Sequence, residues 1–138
     1  IMLINKGDKK QLWANPHGVL SPSGRRQIKN DACFVFKVHD RGSGRVALEA
    51  MNGTGFLTVV GAGLSADVRL IKNETEGSLF MWQDMLRGEC MLLSLKTNRF
   101  IGLHPETGEL YSADWPGTLP ARKDGTVFEW RLVSDVNQ

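Results

Sequence analysis

The sequence consists of three imperfect copies of one unit of about 45 residues. Aliphatic residues recur at matching positions in the copies: Leu3, Leu48 and Leu92, then Leu12, Leu57 and Ile101, then Leu20, Leu64 and Leu110. A Phe-x-aromatic pair closes each copy: Phe34 with Phe36, Phe80 with Trp82, and Phe128 with Trp130. Repeats of this length predict one supersecondary unit per copy, with a core shared between neighbouring units.

Apolar residues alternate along the start of each copy, as in Val46 and Leu48 or Cys90 and Leu92. A period of two is typical of half-buried strands, and no segment sustains the period of a helical face. Short turns with glycine, asparagine or proline separate these runs. The pattern predicts four strands in each copy, hence about twelve strands in the chain.

Three four-stranded units around a pseudo-threefold axis predict an all-β fold, the β-trefoil, in which six strands close a barrel and three hairpins cover one end. A propeller is the competing repeat architecture, but it usually needs four or more blades. We expect a single domain over 1–138, with repeats of approximately 1–44, 45–88 and 89–138, excised from a larger protein. The recurring aliphatic and aromatic residues are then core, and we expect Trp82 and Trp130 to pack there rather than contact a ligand.

Composition argues against several classes of partner and cofactor. The net charge is +2, and Arg25, Arg26 and Lys29 form the densest basic patch, which is narrower than a nucleic-acid footprint. No apolar stretch is long enough to span a membrane. Cys33 and Cys90 lie in apolar runs without a neighbouring metal ligand, so we expect no metal and no cofactor. The two could form a disulfide, but two buried thiols are the favoured interpretation.

Catalysis finds little support in the sequence. His17, His39 and His104 lie far apart, and the motifs of serine hydrolases, zinc proteases and phosphate-binding loops do not occur. Carboxylates such as Asp67, Asp114 and Asp124 show no spacing that selects a catalytic pair. The sequence therefore favours a non-catalytic binding domain.

Short motifs resemble a known group of trefoils. Val46–Leu48 leading to Gly55–Leu57, and Met91–Leu93 leading to Arg99–Ile101, resemble the opening of fascin-like and arabinose-binding repeats. The segment Asp124–Phe128 is similar to an Asp-Gly-Ser segment of the carbohydrate-binding trefoils appended to arabinofuranosidases. This resemblance implies a monomeric module of a secreted, cell-surface or periplasmic protein. Such a module would bind a polysaccharide or oligosaccharide while an attached enzyme degrades it.

A sugar site needs an exposed aromatic ring beside groups that hydrogen-bond hydroxyls. Trp115 is the first candidate, because it lies in a third-copy loop with a following Pro and Gly that argue against a central strand. The candidate partners close to it in sequence are Asp114, Tyr111, His104 and Glu106.

Three further residues complete the candidate set: Trp13, Asp67 and Asp124. Trp13 aligns with Thr58 and Gly102 on the side of the strand opposite the inward leucines, so it is either a stacking platform or a cover for a neighbouring hairpin. Ser65-Ala66-Asp67 echoes Ser112-Ala113-Asp114, which indicates either a recurring turn or a repeated sugar-binding aspartate.

The alternative function belongs to another class. A fascin-like module would bind a protein filament, with several trefoils packed side by side and basic residues such as Arg25, Arg26 and Lys29 facing an acidic partner. It would be intracellular and would keep both cysteines reduced. A flat, charged surface would indicate this function, whereas a groove with tryptophan and carboxylates would indicate a sugar module.

Overall fold

The computed structural model describes residues 1–5, 11–14, 20–23, 32–61, 67–103, 110–113 and 127–132. These residues form twelve strands, as the repeat pattern predicts: β1 (Met2–Asn5), β2 (Gln11–Ala14), β3 (Leu20–Ser23), β4 (Phe36–Asp40), β5 (Arg45–Ala50), β6 (Gly55–Val60), β7 (Asp67–Ile71), β8 (Phe80–Asp84), β9 (Glu89–Ser94), β10 (Phe100–Leu103), β11 (Leu110–Ala113) and β12 (Phe128–Arg131). Short 3-10 helices at Ala32–Phe34 and Glu76–Ser78 precede β4 and β8. No helix among the described residues is long and apolar enough to cross a membrane.

Six of these strands form a closed antiparallel barrel. Strand β1 pairs with β12, β12 with β9, β9 with β8, β8 with β5, and β5 with β4. The ring closes between β4 and the residue before β1, where the Phe36 N–H donates to the Ile1 carbonyl oxygen at 2.7 Å. The Ile1 nitrogen donates in turn to the Phe36 carbonyl oxygen at 2.6 Å. The other six strands pair as three hairpins, β2 with β3, β6 with β7, and β10 with β11.

Strand pairing corrects the sequence register of the first repeat. Phe36, Phe80 and Phe128 each begin the fourth strand of a repeat, and each is fully buried. Their main-chain partners on the adjacent barrel strand or beside it are Ile1, Val46 and Cys90. These partners have the same sequence spacing as Leu3, Leu48 and Leu92. Phe36, rather than Phe34, is therefore equivalent to Phe80 and Phe128, and the closing pair of the first repeat lies two residues later than predicted.

The hairpins require a second correction of register. Leu20 pairs with Ala14 and Leu110 pairs with Leu103 at the same position in their hairpins. In the second repeat this position is held by Val68, which pairs with Val59 and is 5% exposed. Leu64, the residue predicted for this position, lies outside the described residues.

The core lies where the repeated aliphatic residues predict it. Five of the recurring positions are fully buried: Leu12, Leu48, Leu57, Leu92 and Ile101. They join the three equivalent phenylalanines in one cluster, against which the half-buried rings of Trp82 and Trp130 pack. The expectation that Trp82 and Trp130 pack against the core is thus confirmed. They are not fully buried, however, because both rings keep solvent-accessible surface.

The two cysteines differ in their surroundings, and both carry thiols rather than a disulfide. Cys33 is half-buried, with its sulfur 3.7 Å from the side-chain nitrogen of Asn52. Cys90 is buried on β9, where desolvation, aided by the charge of Asp84, raises its thiol pKa to about 12. Only the interpretation of Cys90 as a fully buried thiol is therefore confirmed.

We expect the two thiols to react with Ellman's reagent at clearly different rates in the native protein at pH 8. A pKa of about 12 leaves only about one Cys90 thiol in ten thousand ionised at that pH, and burial also blocks the reagent. Cys33 should react first, and Cys90 only after unfolding in denaturant. The Cys33→Ser variant provides the control, because it should retain only the slow thiol. Two equally fast thiols in the native protein would contradict this assignment.

Candidate ligand-binding site

The barrel holds a cavity at one end, which we call the turn end because the β4–β5 and β8–β9 turns lie there. The cavity has a volume of about 560 Å³, within the range of roughly 300–1,000 Å³ found for small-molecule sites. Its walls combine aliphatic, aromatic and polar groups: Ile1, Val38, Asp40, Gly42, Ser43, Gly44, Val46, Trp82 and Trp130. These residues lie on the barrel strands β4, β5, β8 and β12, in the turn at 41–44, and just before β1.

Two indole rings form the aromatic part of this wall. Trp82 and Trp130 contact each other edge to face, with ring centroids 6.0 Å apart and an interplanar angle of 67°. Each is the third residue of its strand, opposite Leu92 and Leu3 respectively. The arrangement is a favourable aromatic geometry, and it produces a corner rather than a flat platform.

The turns fix the position of both tryptophans through the main chain. The Trp82 N–H donates to the Gly44 carbonyl at 3.1 Å, and the Trp130 N–H donates to the Gly88 carbonyl at 2.9 Å. Three successive residues at 42–44, and three at 86–88, have positive φ, which brings these carbonyl oxygens back toward the neighbouring strand. Two equivalent turns therefore support two equivalent tryptophans.

Polar groups at the rim come from the first of these turns. Asp40 is exposed, and its Oδ1 accepts a hydrogen bond from the Gly42 N–H at 2.8 Å, which closes an Asx turn. Its Oδ2 has no hydrogen bond to another described residue. Ser43 is exposed beside it.

Within the described part of the chain, the buried indole nitrogen of Trp130 has no hydrogen-bond partner.

Neighbouring arginine side chains form hydrogen bonds to Glu74 and to main-chain carbonyls of the turn at 41–44. The Arg41 guanidinium donates twice to Glu74, at 2.6 and 2.9 Å, and this pairing lowers the pKa of the Glu74 carboxyl. Arg45 donates to the main-chain carbonyls of Gly42 and Arg41. Both arginines thus brace the turn that carries Asp40.

Most of the site predicted from the sequence lies outside the described residues: Trp115, Asp114, His104, Glu106 and Asp124. Tyr111 lies on β11 and pairs with Gly102, and Trp13 lies on β2 and pairs with Ser21. Their side chains also lie outside the described part. The proposal for a third-repeat loop site therefore stays a prediction.

Asp67 is the one predicted site residue whose side chain is described. Its Oδ1 accepts from the Val68 N–H at 2.8 Å, and its Oδ2 accepts from Arg69 Nε at 3.1 Å. It begins β7, whereas Asp114 follows the last residue of β11. Counted from the paired residues of the two hairpins, Asp67 and Asp114 stand at different sequence positions, and the hypothesis of a repeated sugar-binding aspartate stays a prediction.

The positions equivalent to Trp13 bear on its two interpretations. Thr58 is 3% exposed, and Gly102 is also buried. Gly77, in the second 3-10 helix, lies against the side-chain methyl group of Thr58, where an added Cβ would be 3.2 Å from that group. This face of the hairpin is covered in the second repeat, and the choice between the two interpretations of Trp13 stays a prediction.

The segment that resembles arabinofuranosidase trefoils also has a structural counterpart. Glu76-Gly77-Ser78 precedes Phe80 at the same spacing at which Asp124-Gly125-Thr126 precedes Phe128. In the second repeat this segment is the 3-10 helix, and a Cβ on Gly77 would lie 2.4 Å from the Val59 carbonyl oxygen. Close packing against the main chain of Val59 thus explains why residue 77 is a glycine, and no ligand is needed to explain it.

Sequence reasoning missed the turn-end cavity. Its residues come from strands at distant positions in the chain, and no local motif connects them. One sequence signal was available. Tryptophan recurs as the third residue of β8 and β12, at Trp82 and Trp130, whereas the corrected register puts Val38 at this position in β4.

Comparisons with known proteins concern the fold. No protein-family model matches the sequence, and no curated protein matches it. Among solved structures, the chain is similar to a designed 3-fold symmetric protein, ThreeFoil, with a TM-score of 0.74 and 15% sequence identity, over 93% of this chain and 94% of that one. The arrangement of the strands and this similarity agree, and the chain has the all-β β-trefoil fold with internal threefold symmetry.

Proposed function

We propose that this domain is a non-catalytic carbohydrate-binding module that holds a polysaccharide for an attached glycan-degrading enzyme. The observation that carries the proposal is the pair of half-buried tryptophans in the wall of an accessible cavity, beside the Asp40 carboxylate. Sugar rings present an apolar C–H face to aromatic side chains and hydroxyl groups to carboxylates and main-chain groups. The resemblance of the repeats to carbohydrate-binding trefoils supports the same class of ligand.

A polysaccharide panel tests this proposal directly. We expect saturable pull-down by at least one of arabinan, arabinoxylan, xylan, β-glucan, galactan and mannan, accompanied by a change in tryptophan fluorescence. The dissociation constant should be micromolar to millimolar, since a shallow site buries little area. Absence of binding across the panel would contradict the proposal, and co-sedimentation with protein filaments would then test the fascin-like alternative.

The third-repeat loop gives a separate prediction. If Trp115 is an exposed stacking residue, Trp115→Ala should weaken binding to the polysaccharide identified in the panel by about tenfold or more, because losing a central aromatic contact residue typically costs about 2 kcal/mol or more. Its midpoint of thermal unfolding should stay within a few degrees of the wild type. Affinity and thermal stability are measured on the same preparations. Loss of folding in this variant would show that Trp115 is a core residue.

A further inference from the structure

One equivalent position in the fourth strand differs among the three repeats. Val38, Trp82 and Trp130 are each the third residue of the fourth strand, and they pair with the equivalent leucines Leu48, Leu92 and Leu3. All three line the same cavity. Two repeats thus contribute an indole ring to the turn end, whereas the first contributes a valine, Val38, which is 36% exposed.

The small side chain of Val38 leaves room in the cavity. A third indole at this position would occupy volume that the other two rings leave open, since all three positions face one space of about 560 Å³. The space is open to solvent at this end of the barrel, so its size depends on the side chains that line it, including the one at position 38.

The geometry of the two rings limits what this space can hold. Rings inclined at 67° cannot both stack on the same face of a flat, extended chain. They can contact one sugar ring at the corner between them, with hydroxyls reaching Asp40 Oδ2 and the Ser43 hydroxyl. A carboxylate at the rim disfavours acidic sugars through like-charge repulsion.

We propose that the turn-end cavity binds one terminal, uncharged sugar unit per domain, and that Val38 determines specificity by making room for it. This inference rests on the proposed carbohydrate-binding function. It places the site at the turn end of the barrel, where residues of all three repeats contribute to one site, so the stoichiometry is one ligand per domain.

A series of substitutions at Val38 tests the inference. The probes are free arabinose, xylose, glucose, galactose and mannose, together with the polysaccharide identified in the panel, titrated by calorimetry and tryptophan fluorescence. We expect one site per domain, with affinity retained in Val38→Ala, reduced in Val38→Leu, and reduced by at least about tenfold in Val38→Trp. Glucuronic acid should bind more weakly than glucose, and Asp40→Asn should reduce that difference. Circular dichroism establishes which variants fold, and the Ala and Leu variants suffice if the Trp variant does not.

The outcomes separate the two proposals. Polysaccharide binding that is unchanged across the Val38 series, or three equivalent sites per domain, would overturn the inference while leaving the carbohydrate-binding function intact. Wild-type protein that binds no polysaccharide or sugar would overturn both. A graded loss of affinity with side-chain size at position 38, in variants that remain folded, supports the site.

Discussion

Replacing Phe80 with alanine is expected to lower the free energy of unfolding by about 3–5 kcal/mol. The Phe80 ring is fully buried in the main core cluster, where it begins β8 opposite Val46. Truncation removes the transfer free energy of the ring and leaves a cavity that the surrounding barrel can fill only in part. Since small domains are stable by about 5–15 kcal/mol, this loss is a large fraction of the total.

Urea unfolding followed by circular dichroism measures this effect, and Phe56→Ala is the matched control. Phe56 is only half-buried on β6, with its ring 5.7 Å from that of His39. The same chemical change should therefore cost clearly less there, roughly 1–2 kcal/mol. Equal losses at the two positions would contradict the assignment of Phe80 to the common core.

The repeat architecture was predictable because it depends on spacing. Leu48 and Leu92, or Leu57 and Ile101, are fully buried at the positions that the intervals indicate. An insertion or deletion that shifted one of them by a single residue would turn it to the other face of its strand. Because of this constraint, the buried aliphatic residues recur at regular intervals in the sequence. These intervals predicted the fold and its twelve strands.

The turn-end cavity was not predictable for a related reason. The first repeat contains Phe34 and Phe36, so the Phe-x-aromatic pattern fits it in a register that is two residues too early. That register puts Phe36 in the position of Trp82 and Trp130 and conceals the valine there. Only main-chain pairing, such as Phe36 with Ile1, identifies the true counterpart as Val38.

Asp67 illustrates the limit of short motifs. Its Ser-Ala-Asp neighbourhood resembles that of Asp114 in letters, but cross-strand pairing puts the first at the start of β7 and the second beyond the end of β11. Three-residue similarities do not encode strand position, because serine and aspartate stabilise many kinds of turn. Residue types near loops thus suggested a ligand chemistry, whereas their spatial arrangement had to come from the fold.

Gly55→Ala is expected to destabilise the domain by about 2–5 kcal/mol, combining steric displacement with an unfavourable backbone conformation. Gly55 has a φ of +133°, and a Cβ there would lie 2.5 Å from the carbonyl oxygen of Ile71. Main-chain atoms of a paired strand cannot move aside without disturbing the β6–β7 hairpin. Gly53→Ala is the control, because Gly53 has a φ of +82° and no atom within 4 Å of the added Cβ, so it should cost only about 1–2 kcal/mol. Urea unfolding of both variants measures the difference. Equal destabilisation would mean that backbone conformation alone, rather than the close approach to Ile71, requires glycine at position 55.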